Sequence, residues 1–245
     1  MDRRDPVEDR TAGRVAPLVA HAPVGSGATL LDRVGPRDAG SRSREGGWAC
    51  HTDAVASAPS RQPALTGSLL VASPLLDDPN FARSVILMLH HDLNGGQGVV
   101  LNRQLTEPVD TVLPGWQAVT TAPHTLFQGG PVQTDSAIGI VTVPGDGGET
   151  LGIRKLFGGI GVVDLDAPPV LVAPEVAGMR IFAGYAGWGA GQLEREIRRG
   201  DWFVVEAEAR DAFCDQPDAL WDRVLRRQRG PLAFVALYPD DPSLN

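Results

Sequence analysis

The sequence predicts an α/β or α+β domain built on a mixed sheet, preceded by a disordered N-terminal tail. Three observations carry this expectation. β-Branched apolar runs outnumber stretches of helical periodicity, and neighbouring runs are joined by short turns containing Gly, Asn or Asp. The helical patterns are too few for a regular series of βαβ units. Residues 1–64 are dominated by Gly, Pro, Ser, Ala and Arg, as in "GPRDAGSRSREGG", and hold no sustained apolar period. They read as a solvated tail, a partner-binding arm or the result of a start assigned too far upstream. The ordered domain is placed at residues 65–245.

The elements follow in order. "GSLLVASPLL" is a short apolar run ended by Pro74. "RSVILMLHH" and "QGVVLNR" flank "DLNGG" and predict a hairpin. "TEPVDTVLPGW" sets Val109, Val112, Leu113 and Trp116 at helical spacing, with Thr106 as the cap. "TLFQGG" and "AIGIVTV" read as strands, while "GVVDLDAPPVLVA" is apolar without a clean period. "RIFAGYAG" predicts a strand running into a glycine-rich loop over 184–191. A helix then places Leu193 and Ile197 on one face, pairs Glu194 with Arg198, and stops at Gly200. "DWFVVEAEA" returns as a strand. The last helix takes Asp215 as cap, has Pro217 in its first turn, buries Leu220, Trp221, Val224 and Leu225, and ends at Gly230.

Composition narrows the function. The chain has 245 residues, 42% of them hydrophobic, but no apolar run approaches the roughly 20 residues of a spanning helix. The N-terminus "MDRRDPVEDR" is charged without an apolar region behind it, which is not a secretory pattern. Cys50 and Cys214 supply no disulfide framework and no metal-ligand spacing. A cytoplasmic protein with no membrane contact is the expectation. Residues 1–64 carry nine Arg and eight acidic residues. The remainder carries 13 basic and 22 acidic residues, a balance of −9 that repels a phosphate backbone at long range.

Several chemistries are absent. The only lysine, Lys155, lies in "IRKLF", so there is no Walker-type phosphate loop. "GWGAGQ" begins a dinucleotide fingerprint at Gly187 but places Gln192 at the sixth position. Gly-x-Ser-x-Gly and His-Glu-x-x-His do not occur. In "HHD", His90 and His91 of a regular strand face opposite ways and cannot share an ion without a bulge. His124 is isolated. Ser84 and His90 share a strand face but stand about 20 Å apart, which rules out a triad with Asp92. No catalytic residue, metal site or cofactor is assigned. Arg223, Arg226, Arg227 and Arg229 offer a weak nucleic-acid surface, or simply complement a helix C-terminus. At the glycine loop, Glu194 and Glu196 oppose a bound phosphate. Gln192 can bond an uncharged polar group, and Tyr185 and Trp188 either stack on a ligand or cover the core. "GGPV" at 129–132 poses the same choice.

"GSLLVASPLLDDPNFARSVILMLHHD", "GVVLNR", "LPGW", "FQGGPV", "FAGYAGWGAGQLEREI", "DWF", "LWDRVLRRQ" and "PDDPSLN" appear in one order over residues 67–245. Together they resemble the YqgE/AlgH family. The resemblance implies a bacterial, intracellular, single compact domain with a bifurcated, partly barrel-like sheet flanked by helices. The family label names a transcriptional regulator, without a recognised DNA-binding motif or an agreed activity. The resemblance also implies a shared surface from Asp78, Pro79, Phe81, Arg83, Ser84, His90, Asn102, Gly129, Gly130, Pro131, Tyr185, Trp188, Gln192 and Glu194. His91 departs from the commoner apolar-His-Asp order and leaves open which histidine takes the family position. Three readings result. The first is a non-enzymatic regulator or binding protein for a small molecule or protein partner, with its cleft at Arg83, Gly129–Pro131 and Tyr185–Gln192. The second is DNA binding through the C-terminal arginines, disfavoured by the acidic domain. The third is a hydrolase or transferase using His90 with Asp92.

Overall fold

The computed structural model describes residues 65–145 and 152–239; the tail expected over 1–64 and most of the closing "PDDPSLN" lie outside the described residues. The described chain is a mixed α+β domain whose sheet curls into a half-barrel. Strands β1 (Ser68–Ala72), β2 (Val85–Asp92) and β3 (Gly95–Val100) form an antiparallel meander. The turn between β2 and β3 is the predicted one. The Asp92 carboxylate accepts the Asn94 N–H at 2.7 Å, an arrangement that Asp favours at turn entry. Next come β4 (Gln104–Pro108), β5 (Thr125–Gln128), β6 (Val132–Thr142), β7 (Ile153–Phe157) and β8 (Ile160–Val163). β9 (Gly178–Gly189) and β10 (Trp202–Glu206) complete the sheet. The main path runs β10-β1-β2-β3-β9-β6-β8-β7, with β4 and β5 branching off β9.

β9 explains the glycines. The sequence predicts a strand ending in a loop, but the strand runs unbroken for 12 residues, through Gly184 and Gly187 to Gly189. Its first part pairs with β6, and also with β5 in parallel; its last part pairs with β3. The change of partner falls at Gly184, where φ is +69°, and the β6 register breaks opposite it. Gly129 and Gly130 cross the strand at that junction. A Cβ on Gly129 would lie 2.2 Å from the Gly184 carbonyl oxygen, and one on Gly130 2.2 Å from the Tyr185 carbonyl carbon. The glycines therefore admit the protein's own backbone where the sheet forks.

Alternation along the strands sorts the core into faces. Leu69, Leu87, Val99, Phe127, Ile140 and Phe182 line the concave side. α4 (Leu220–Arg226) closes that side with Leu220, Trp221, Val224 and Leu225, the predicted stripe. α3 (Gln192–Arg199) covers the other face of β1–β3 through Leu193, against Leu70, Ile86, Met88 and Trp188. A third group under β6, β8 and β9 joins Val141, Val163, Met179 and Ile181 to α1 (Val109–Val112) and α2 (Pro169–Val172).

Four local expectations need correction. The helix at 109 is a single turn led by Pro108, because Thr106 still lies within β4, two residues before the cap position that Pro108 takes. "GVVDLDAPPVLVA" divides into β8 and α2 once Pro168 and Pro169 start a new turn. Neither Asp215 nor any other side chain caps the last helix, which begins as a 3-10 turn at Pro217 and ends at Arg226. Gly230 does not end it but opens a separate 3-10 segment, Gly230–Leu237. Glu194 does not pair with Arg198 either. Arg198 Nε donates to the Glu194 carbonyl at 3.1 Å, while the Glu194 carboxylate turns inward to His91.

One buried charge was not foreseen. Arg180 is 1% exposed, points into the concave core and lies 4.2 Å over the Phe127 ring. Its guanidinium donates to the carbonyls of Ala212, Ala122 and Cys214 at 3.1, 3.1 and 2.9 Å. Burial pulls its pKa down to about 10, still protonated at neutral pH. It ties β9 to the loops at 122 and 212–214.

Candidate functional site

The residues named from the sequence fall into four places. The first is the corner before β2. Asn102 clamps it: its Oδ1 accepts the Val85 N–H at 2.9 Å and its Nδ2 donates to the Arg83 carbonyl at 2.9 Å. Between them Ser84 is fully buried, and its hydroxyl meets no partner. Arg83 adopts φ +52° and reaches the C-terminal segment, donating to the carbonyls of Tyr238 and Pro239 at 2.7 and 2.6 Å. Its guanidinium lies 4.4 Å over the Trp221 ring. Arg83→Ala is expected to cost about 1–3 kcal/mol through lost charged hydrogen bonds and the cation–π contact. Urea denaturation followed by circular dichroism checks this. An unchanged midpoint would show that Arg83 does not hold the segment at Tyr238 and Pro239.

The second place lies beneath α3. Trp188 is 3% exposed, and its indole N–H donates to Glu196 Oε2 at 2.8 Å. Trp202 donates to the same oxygen at 2.9 Å. Gln192 Nε2 donates to Glu196 Oε1 at 2.9 Å, while Gln192 Oε1 accepts the Gly189 N–H at 3.1 Å. Glu196 thus gathers β9, β10 and the start of α3 on one carboxylate. The indoles meet edge to face at 6.1 Å, and Phe81 packs on Trp202 at 5.7 Å. Beside them His91 Nδ1 accepts the Leu65 N–H at 3.4 Å, and its Nε2 stands 3.2 Å from Glu194 Oε1. The approach of Nε2 is too oblique for a hydrogen bond, so it counts as a polar contact. Trp188, Gln192 and Glu194 are engaged within the protein, in a network that the residue spacing hides.

The third place is the far end of the concave face. His90 on β2, Gly130 and Pro131 before β6, and Tyr185 on β9 gather there, with Gln97 of β3, which sequence reasoning missed. His90 and Asp92 are about half-exposed, and His90 Nε2 lies 3.3 Å from Asp92 Oδ2. A register break sits between Met88 and His90, yet His90 still faces outward and His91 inward. The two therefore do not share an ion, and no metal-holding group of His, Cys, Asp and Glu occurs among the described residues. The hydrogen bond from the Asn94 N–H holds the Asp92 pKa below the usual carboxylate range. Burial pushes the Tyr185 phenol up, so it remains protonated at neutral pH.

The fourth place is the arginine set. Arg227 Nη1 and Nη2 grip the buried Asp211 at 2.5 and 2.7 Å. Arg223 lies 3.7 Å from Asp215, and Arg226 4.0 Å from Asp222. Three of the four cations thus already face carboxylates; Arg229 is exposed. Two clefts of about 290 and 300 Å³ border the β7–β8 hairpin. They share Phe157, Gly158 and Ile160, and neither includes a candidate site residue from the sequence.

Comparison with known proteins agrees with this geometry. The DUF179 family profile, described as AlgH-like, matches residues 69–233. A UPF0301 protein of Streptomyces coelicolor is 57% identical over 184 residues, covering 74% of this chain and 95% of the relative. A UPF0301 protein of Thermobifida fusca is 50% identical over 190 residues, with 74% and 96% covered. A crystal structure of a protein from Corynebacterium diphtheriae superposes with a TM-score of 0.67 at 36% identity, covering 72% of this chain and 93% of that one. The solution structure of the AlgH protein from Pseudomonas aeruginosa gives 0.56 at 26% identity, with 76% and 98% covered. The forked half-barrel, the glycine junction that builds it and these matches together place the chain in the AlgH-like UPF0301 family.

Proposed function

We propose that this protein is a non-enzymatic, cytoplasmic binding protein or regulator that recognises a small ligand or partner at the end of its concave face. One observation supports the reading: Gln97 Nε2 and the Tyr185 hydroxyl, which have no partner among the described residues, lie near the half-exposed His90–Asp92 pair and beside Gly130 and Pro131. Elsewhere the candidate groups hold the fold. Arg83 pins the segment at Tyr238 and Pro239, and Trp188 and Gln192 bind Glu196. The hydrolase reading finds less support, because Ser84 is buried away from His90, whose neighbour is Asp92. The DNA reading rests on Arg223, Arg226, Arg227 and Arg229, three of them beside carboxylates, on an acidic domain. No described helix is long and apolar enough to cross a membrane.

A thermal-shift panel on the full chain tests the reading with nucleotides, carboxylated, phosphorylated and amide metabolites, metals and short duplex DNA. A ligand at 100 times its Kd adds about 2.7 kcal/mol, enough to move the midpoint by several degrees. A shift with one small-molecule class supports binding. A shift with DNA alone, lost at raised salt, replaces it with the DNA reading.

A further inference from the structure

The described chain enters the domain through a tight turn, 65–68. The Ser68 N–H donates to the Leu65 carbonyl at 2.9 Å, and Gly67 takes the third position with φ +83°. The Gly67 N–H ties the turn to β2 by donating to the Met88 carbonyl at 2.8 Å. Leu65 is buried and joins the cluster of Met88, Trp188 and Leu193 beneath α3. Outside the turn itself, the hydrogen bonds on Leu65 and Thr66 run to His91. The Leu65 N–H donates to His91 Nδ1 at 3.4 Å, and the His91 N–H donates to Thr66 Oγ1 at 2.9 Å.

The imidazole bond exists in one protonation state. A ring nitrogen that accepts carries no proton, so the neutral ring has its proton on Nε2, where Glu194 Oε1 stands 3.2 Å away. A second proton goes to Nδ1, and there donor meets the Leu65 donor. The same proton makes the ring positive beside the Glu194 carboxylate, with the two side chains only 5% and 20% exposed. Glu194 is the charged group that faces the ring. Glu196, on the same helix, is taken up by Trp188, Trp202 and Gln192. β3 presents Gly96 and β9 presents Trp188, both uncharged, as are Leu65 and Thr66. On β2 itself His90 and Asp92 pair on the outward face. One proton therefore exchanges partners: Leu65 is given up and Glu194 is gained.

We propose that His91 is a proton-operated latch on the entry to the domain. Neutral, it holds Leu65 against β2. Charged, it turns to Glu194 and frees Leu65 and Thr66 to swing about Gly67, while α3 stays docked. Residues 1–64 lead into this turn, so the latch acts where they join the domain.

NMR of the full chain tests this between pH about 8 and about 5, the range over which histidine changes charge. At the alkaline end His91 is expected as the Nε2–H tautomer. The Leu65 amide resonance is expected to titrate with the same midpoint as the His91 ring. Its hydrogen-exchange protection, corrected for the intrinsic effect of pH, is expected to fall about tenfold at the acid end, while amides of β2 and α3 keep theirs. His91→Gln is expected to abolish the titration, since an amide oxygen accepts from Leu65 at any pH. Glu194→Gln is expected to move the shared midpoint to lower pH, because the charged ring loses its partner. A Leu65 amide that stays flat while His91 titrates, or an Nδ1–H tautomer at the alkaline end, would overturn the latch. So would a Leu65 titration that persists in His91→Gln, a midpoint unmoved in Glu194→Gln, or a ring that stays neutral throughout.

Discussion

Gly130→Ala is expected to leave no folded protein under conditions where the wild type folds, a loss above about 4 kcal/mol. The backbone there has φ +155°, which L residues rarely adopt, and the new methyl would sit 2.2 Å from the Tyr185 carbonyl carbon. Neither problem has a cheap exit. Strain of this kind costs about 1–3 kcal/mol, and the overlap is with backbone rather than with a side chain that can turn away. Relief means parting β9 from the 129–130 segment, and with it the fork of the sheet. Gly189→Ala is the control. It lies on the same strand, its φ is not left-handed, and its Cβ would meet only Gln192 Oε1 at 3.9 Å. Urea denaturation of both variants is the measurement. A folded Gly130→Ala within 1 kcal/mol of the wild type would mean that the strands do not cross as described.

Glu196→Ala is expected to cost about 2–4 kcal/mol. It strands the indole N–H groups of Trp188 and Trp202 and the Gln192 amide, with each unmatched donor costing about 1–3 kcal/mol where water cannot reach it. The half-buried setting lets water take part of the load, so the cost is about half of the summed range of about 3–9 kcal/mol. For a domain of this size the thermal midpoint falls by roughly 5–12 °C. Glu196→Gln is expected to lie between, since one amide oxygen can still accept. A midpoint unmoved in Glu196→Ala would show that packing of Leu193 alone docks α3.

Period and turn chemistry made the strands legible. β1, β2, β3, β5, β6 and β10 follow from β-branched runs, and α3 and the α4 stripe follow from helical spacing. What stayed hidden was the use of glycine. The sequence cannot say whether Gly184 turns the chain or admits another segment, and the answer came from more than 50 residues away, at Gly129 and Gly130. The candidate site was hidden for the same reason. Trp188 and Gln192 look available until β10 brings up Trp202 and α3 brings up Glu196. Gln97 was passed over because it belongs to no motif; only the register, placing it against His90 and Gly187, gives it meaning. Arg180 left one trace, a charged residue at an inward strand position, two before Phe182.

The paired indoles beneath α3 are also an optical device. Trp188 and Trp202 stand 6.1 Å apart with their planes 81° from one another. Two like chromophores so close and so skewed couple their transitions and split them into bands of opposite rotational strength. The ultraviolet dichroism of the folded chain should therefore carry a signed couplet that, among the described indoles, comes from this joint. Because both rings hang from Glu196, the couplet fades when α3 lifts, even while the strands beneath remain paired. The helix thus reports its own docking without an added label.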